Sequence, residues 1–329
     1  MADFLIDTET LAQARFDTSE LVECVASLGI LLRGDPLPWH RDWRARHIDG
    51  LRAHLADNPV QAAIAAHALT PSWAADFLTS TPAEDASVED DLADIEALGD
   101  DRVRADLEQV RRPLAPALRQ PGVARESAAL LRWVWHTTVA AEWTDRRRIL
   151  QADLVSRTNR LTRSGWAAVI DDLSAGTRWL GGNRLQYDPR PYPDIDLRGS
   201  RLTFYAAHCR GGWVMWNRDR PDSYGIVYPV SGGLADTRPG HSPGHDAPRS
   251  LRALLGPRRA IVFQHARAPV ATSSLAARTG LPLSTVAAHL RVLRDAGLLH
   301  RRRSGRMVLY WWTDAAHTLD QASGTSPEA

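Results

Sequence analysis

The sequence predicts an α+β chain in two unequal parts: a mostly helical N-terminal domain with a small antiparallel sheet, and a basic C-terminal domain of short helices closed by a hairpin. Three observations carry that expectation. Apolar residues recur at helical spacing up to about residue 175 and then switch to short strand-like runs. Residues 231–249, dominated by Gly, Pro, Ser and Asp, keep no apolar period and read as a linker. Finally, the charge is divided. Residues 249–320 hold 12 arginines against three acids, net +9, whereas the remainder holds 28 basic and 36 acidic residues, net −8. An acidic body joined to a basic module points to a polyanionic partner for the module. The expected boundaries are 1–232, a linker at 233–248, 249–321, and a tail at 322–329.

In the N-terminal part, Leu21, Val25 and Leu28 share one face of a helix over 19–32. An acidic amphipathic stretch follows at 81–111, and longer helices are expected over 123–143 and 145–175. Thr177–Tyr187 reads as a hairpin turning at Gly181-Gly182. Leu202–Cys209, Gly212–Trp216 and Tyr224–Val230 read as three further strands.

Composition bounds the function. All 40 basic residues are Arg, which favours bidentate contacts to phosphate or carboxylate. Cys24 and Cys209 are the only cysteines, too few for a disulfide framework or a Cys-rich metal module. No apolar run approaches the ~18 residues of a membrane span, and the start Met1-Ala2-Asp3-Phe4 lacks a basic segment. A cytoplasmic protein without membrane contact is expected. No Gly-rich phosphate loop, His-rich ligand set or Ser-His-Asp spacing occurs, so neither catalysis, cofactor nor metal is expected. His208 and Cys209 are neighbours on a strand and face opposite sides, which leaves the thiol without an activating base. The carboxylate pairs Asp171-Asp172 and Asp194-x-Asp196 fall at a helix end and in a loop, common places for such residues.

The C-terminal part is more specific. Residues 251–267 give a short helix, a Gly256-Pro257 break and a second helix. Thr272 or Ser273 caps a helix that Gly280 ends, and after a tight turn Ser284–Ala296 forms another, the helix-turn-helix pattern. At 100° per residue Val286, Leu290 and Leu293 must face a core. The opposite face then presents Ser284, Thr285, Ala287 and Ala288 to base edges, Arg291 to a phosphate, and His289 at its border. Residues 298–312 alternate into a hairpin, a wing, with Arg301, Arg302, Arg303 and Arg306 around Ser304-Gly305, suited to phosphate or minor-groove contact.

Leu254–Arg259, Leu275–Leu281, Ser284–Leu299 and Arg303–Tyr310 together resemble the ArsR/SmtB family of winged-helix regulators over about 70 residues. The resemblance implies a winged helix-turn-helix, double-stranded DNA as partner, a homodimer, and repression of transcription. Leu11–Phe16, Glu23–Leu28 and Val227-Tyr228-Pro229 are similar to a poorly characterised N-terminal domain that precedes such modules. Two departures stand out. Metal sensors of the family carry thiolates in the helix where this chain has Ser273, Ser274 and Leu275, so thiolate metal sensing is not expected. Pro282 also takes the usual Ser cap position, which moves the expected cap to Ser284.

For the N-terminal domain, dimer contacts and ligand sensing both remain open. Trp133, Trp135, Trp213 and Trp216 are candidates to line a pocket for a small organic effector, or else are core residues. Trp213 and Trp216 stand three apart on a strand and face opposite sides. An enzyme or ligand-binding domain with an accessory winged helix used for protein contacts is the alternative.

Overall fold

The computed structural model describes residues 2–34, 40–70, 73–109, 113–174, 176–188, 194–217, 220–230, 248–267, 270–304 and 307–324. The chain divides into two units, Met1–Val230 and Ser231–Ala329. Most of the expected linker, including His241 and His245, lies outside the described residues.

The first unit opens with strand β1 (Ala2–Leu5), helix α1 (Thr8–Gln13) and strand β2 (Arg15–Asp17). Helices α2 (Glu20–Leu32), α3 (Arg41–Asp57) and α4 (Pro59–Ala68) follow. A short hairpin of β3 (Leu69–Thr70) and β4 (Trp73–Ala74) leads to α5 (Val88–Ala97), α6 (Asp100–Leu107), α7 (Val123–Val134) and α8 (Trp143–Ile170). Strands β5 (Arg178–Gly181), β6 (Arg184–Asp188), β7 (Ile195–Asp196), β8 (Arg201–Ala207), β9 (Val214–Asn217) and β10 (Arg220–Pro229) complete it.

Local chemistry sets several boundaries. Ser19 Oγ accepts the Val22 amide at 3.2 Å and starts α2, while Ser87 and Asp90 form a reciprocal capping box at the start of α5. Gly165, at φ 71° and ψ 175°, breaks α8 into two helical segments. The β5–β6 turn rests on Gly182 (φ 55°) and Asn183 (φ 64°), the positive-φ pair that a two-residue hairpin requires.

The expectation of a small antiparallel sheet needs correction. Two four-stranded mixed sheets are present, in the orders β5-β6-β1-β7 and β2-β8-β10-β9. In the second, β2 runs parallel to β8 and β8 parallel to β10, and only β9 is antiparallel. The cause is topological: β9 folds back on the outer side of β10, leaving β8 and β10 side by side in one direction. Parallel neighbours covered on both faces call for continuous apolar strands, and Leu202–Ala207 is buried at every position. One face of this sheet (Phe204, Ala206, Ile226, Tyr228) packs on Leu150 and Trp166 of α8. The other (Tyr205, Ala207, Met215, Val227) packs on Val22 and Ala26 of α2.

Charge is buried where α2, α8 and the end of β8 meet. The Arg146 side chain, 2% exposed, donates from Nη1 to Glu23 Oε1 (2.8 Å) and Ser27 Oγ (2.9 Å), and from Nη2 to Glu142 Oε2 (3.1 Å). Its guanidinium also lies 4.9 Å over the Trp43 ring. Glu23 accepts the His208 backbone amide at 3.1 Å and contacts His208 Nδ1 at 2.8 Å. Burial raises the Glu23 pKa, but His208 and Arg146 outweigh it and hold the carboxyl at about 2.

The second unit contains α9 (Arg249–Leu255), α10 (Pro257–His265), β11 (Val270–Ala271), α11 (Thr272–Thr279), α12 (Leu283–Asp295), β12 (Leu299–Ser304), β13 (Met307–Trp312) and α13 (Asp314–Gly324). The three strands form an antiparallel sheet in the order β11-β13-β12. Its core joins every helix: Leu251, Val262, Phe263, Leu275, Val286, Leu290, Leu293, Trp312 and Ala316 are at most 3% exposed. Trp312 stacks on Phe263 with centroids 4.6 Å apart and donates from Nε1 to the Phe263 carbonyl at 2.7 Å. Helix α13 runs on to Gly324, past residue 321, because Ala316 is a core residue and its helix docks there.

Candidate nucleic-acid interface

Helix α11 ends where Gly280 turns left-handed (φ 67°) and donates to the Ala276 carbonyl at 3.0 Å. Only three residues, Gly280, Leu281 and Pro282, separate it from α12. The caps differ from expectation. Ala271 and Pro282 occupy the N-cap positions of α11 and α12, neither helix has a side-chain cap, and Ser284 lies inside α12. Proline's fixed φ suits the position before the helix, but its ring offers no acceptor for the first-turn amides of α12.

The two faces of α12 are as the spacing dictates. Val286, Leu290 and Leu293 are 0–1% exposed in the core. Opposite them, Ser284, Ala287, Ala288 and Arg291 are exposed, with Thr285 and His289 half-buried at the edges. Two alanines at the centre leave a thin wall that another surface can approach closely. Leu283 (55%) and Val292 (45%) add exposed apolar area to the same helix.

The hairpin follows directly. In its register Arg301 opposes Tyr310, Arg302 opposes Leu309 and Arg303 opposes Val308. Arg301 is exposed. The side chains of Arg302 and Arg303, with Gly305 and Arg306, lie outside the described residues.

Few acids balance these arginines. Arg267 pairs with Asp320, and Arg294 pairs with Asp295. Among the described residues, Arg258, Arg259, Arg291 and Arg301 form no ion pair. Partial burial first, then the nearby Arg259 and Arg258, lower the His289 pKa and favour its neutral form.

The four tryptophans do not gather in one place. Trp133 stacks on His54 at 4.4 Å, Trp135 packs edge-on to Trp143 at 5.7 Å, and Trp213 lies against the Tyr205–Val227 face of the sheet. By strand alternation Trp216 faces the side opposite Met215 and Trp213. The carboxylate pairs are occupied. Asp171 Oδ1 accepts the Trp179 amide at 2.7 Å, Asp172 pairs with Arg160 at 2.9 Å, and Asp196 pairs with Arg198 at 2.6 Å. Cys24 and Cys209 are buried, and burial pushes both thiols well above their usual pKa. Sequence reasoning missed the Glu23–Arg146–His208 cluster. Arg146 and His208 lie 123 and 185 residues from Glu23, and only the acidic Glu23 within a largely apolar helix hinted at it.

Residues 251–302 match the family described as "Helix-turn-helix domain", and the C-terminal unit therefore carries such a domain. More particularly, a 76-residue stretch is 37% identical to the HTH-type transcriptional regulator NmtR of Mycobacterium tuberculosis (strain ATCC 25618 / H37Rv). The match covers 22% of this chain and 63% of that relative, so the chain spans a little under two thirds of the relative's length. No solved structure matches. Among the described residues, no helix is long and apolar enough to cross a membrane.

Proposed function

We propose that the protein is a DNA-binding transcription regulator of the ArsR type, acting in the cytoplasm as a homodimeric repressor. One observation carries the reading: α12 presents Ser284, Ala287, Ala288 and the unpaired Arg291 on a face opposite its buried stripe. Such a helix fits the major groove. Ser284 and Thr285 reach base edges, Ala287 and Ala288 offer methyl contacts to thymine, and Arg291 meets a phosphate. The β12–β13 hairpin is the wing, whose Arg301, Arg302, Arg303 and Arg306 grip the backbone or the minor groove. The relative's printed name, a transcriptional regulator, supports the same direction.

The N-terminal unit is assigned dimerisation and reception of a small organic effector rather than catalysis. Thiolate metal sensing is not part of the proposal. Helix α11 has Ser273, Ser274 and Leu275 where thiolates would stand, and both cysteines are buried in the other unit.

Sequencing genomic fragments retained by the purified full chain tests this reading. The expected result is a shared pseudo-palindromic site with half-sites about one helical turn apart. Arg291→Ala should weaken operator and random DNA alike and reduce the log–log salt slope by about 0.9. Absence of any mobility shift at low salt would defeat the proposal.

A further inference from the structure

We infer that Arg258 and Arg259, in the first turn of α10, form with His289 of α12 a second phosphate clamp that holds the DNA backbone beside the groove taken by α12. The inference rests on the reading of α12 as the groove-facing helix and extends its footprint to a neighbouring helix.

Packing brings the two helices that carry these residues together. Val262 and Phe263 of α10 share one core with Val286 and Leu290 of α12. His289 stands between exposed Ala288 and buried Leu290, at the border of the exposed face. Arg258 is exposed and Arg259 half-buried. Both guanidiniums are close enough to disfavour a charge on His289.

Among the described residues neither Arg258 nor Arg259 forms an ion pair. The acids over 249–320 are Asp295, Asp314 and Asp320; Asp295 is taken by Arg294 and Asp320 by Arg267. Arg259 Nε and His289 Nε2 are buried without a hydrogen-bond partner among the described residues. Helix α10 starts at Pro257 after Gly256 and has no side-chain cap, which adds the positive end of its dipole to the same spot. Uncompensated guanidiniums gathered at one edge of a nucleic-acid face suit a backbone phosphate, because the planar fork pairs bidentately with it. Such a contact fixes register and carries no base preference.

The test compares Arg258→Ala, Arg259→Gln and Arg291→Ala in the full chain, titrating operator and random duplex between 50 and 200 mM salt. Arg258 is exposed, so its variant should keep the parent's melting temperature, and that control covers the case in which Arg259→Gln loses stability. The clamp predicts that each α10 variant loses affinity for both duplexes equally and lowers the salt slope by about 0.9. The drop over that fourfold salt range then shrinks about 3.5-fold per contact removed. Ethylation of one phosphate per half-site should also stop interfering with the Arg258→Ala protein. If Arg291→Ala flattens the slope while both α10 variants bind as the parent does, the clamp is overturned and the groove reading stands. If all three leave affinity and slope unchanged, both fall.

Discussion

Arg146 spans two carboxylates in a place water does not reach, and its removal is the most damaging single change expected in the N-terminal unit. Arg146→Met would leave Glu23 and Glu142 without their shared partner and should cost about 3–5 kcal/mol, read as a lower urea midpoint. The same neighbourhood sets the acid sensitivity. Glu23 sits at about 2, below its ordinary 4.5, so its contribution is complete above about 4.5 and is lost as pH falls towards 2. Burial holds His40 neutral down to about 3 against an ordinary 6.5, so unfolding gains a proton there and stability declines from about 6.5 downwards. Both groups act in one direction. His40→Gln should therefore flatten the stability curve between pH 6.5 and 4, where one such group contributes up to ~1.4 kcal/mol per pH unit. Urea melts at pH 7, 5.5 and 4 measure this, and equal slopes in parent and variant would contradict it.

At the level of elements, the turn between α11 and α12 depends on one residue. Gly280 adopts φ 67°, which a β-branched side chain enters only at a cost of about 1–2 kcal/mol, so Gly280→Val should lower the melting temperature while Gly280→Asn stays closer to the parent. Nothing lies within 4 Å of a Cβ built there, so backbone strain rather than crowding is under test. This turn was legible because a helical period on each side and a glycine between them are local signals. The faces of α12 were legible for the same reason, since Val286, Leu290 and Leu293 share one stripe. The sheets were harder. Leu202–Ala207 has no polar alternation, the mark of a strand covered on both sides, yet short-range pattern does not say which strand lies beside it. Strands β1 and β2 contribute only four and three residues, and their partners lie up to 191 positions away in sequence. The missing caps of α11 and α12 mark another limit, because hydroxyl residues near a helix start suggest a cap without fixing which residue holds it.

For the whole molecule, the division of charge and the division of cores coincide. The unit ending at Val230 is built on clusters around Phe204 and Val227, and the second unit on a separate cluster around Phe263 and Leu290. A fragment spanning 248–324 should therefore unfold cooperatively on its own, since each of its helices contributes to one core. Residues 249–320 carry net +9 and the remainder net −8, so the fragment should also bind random duplex DNA more tightly than the full chain at 10–50 mM salt. The difference should vanish near 1 M salt, where the Debye length falls to about 3 Å. Calorimetry of the fragment and parallel titrations of both proteins decide the matter. A fragment without a cooperative transition would show that the second core needs the first unit. Equal affinities at low salt would show that the acidic residues do not act on the DNA face.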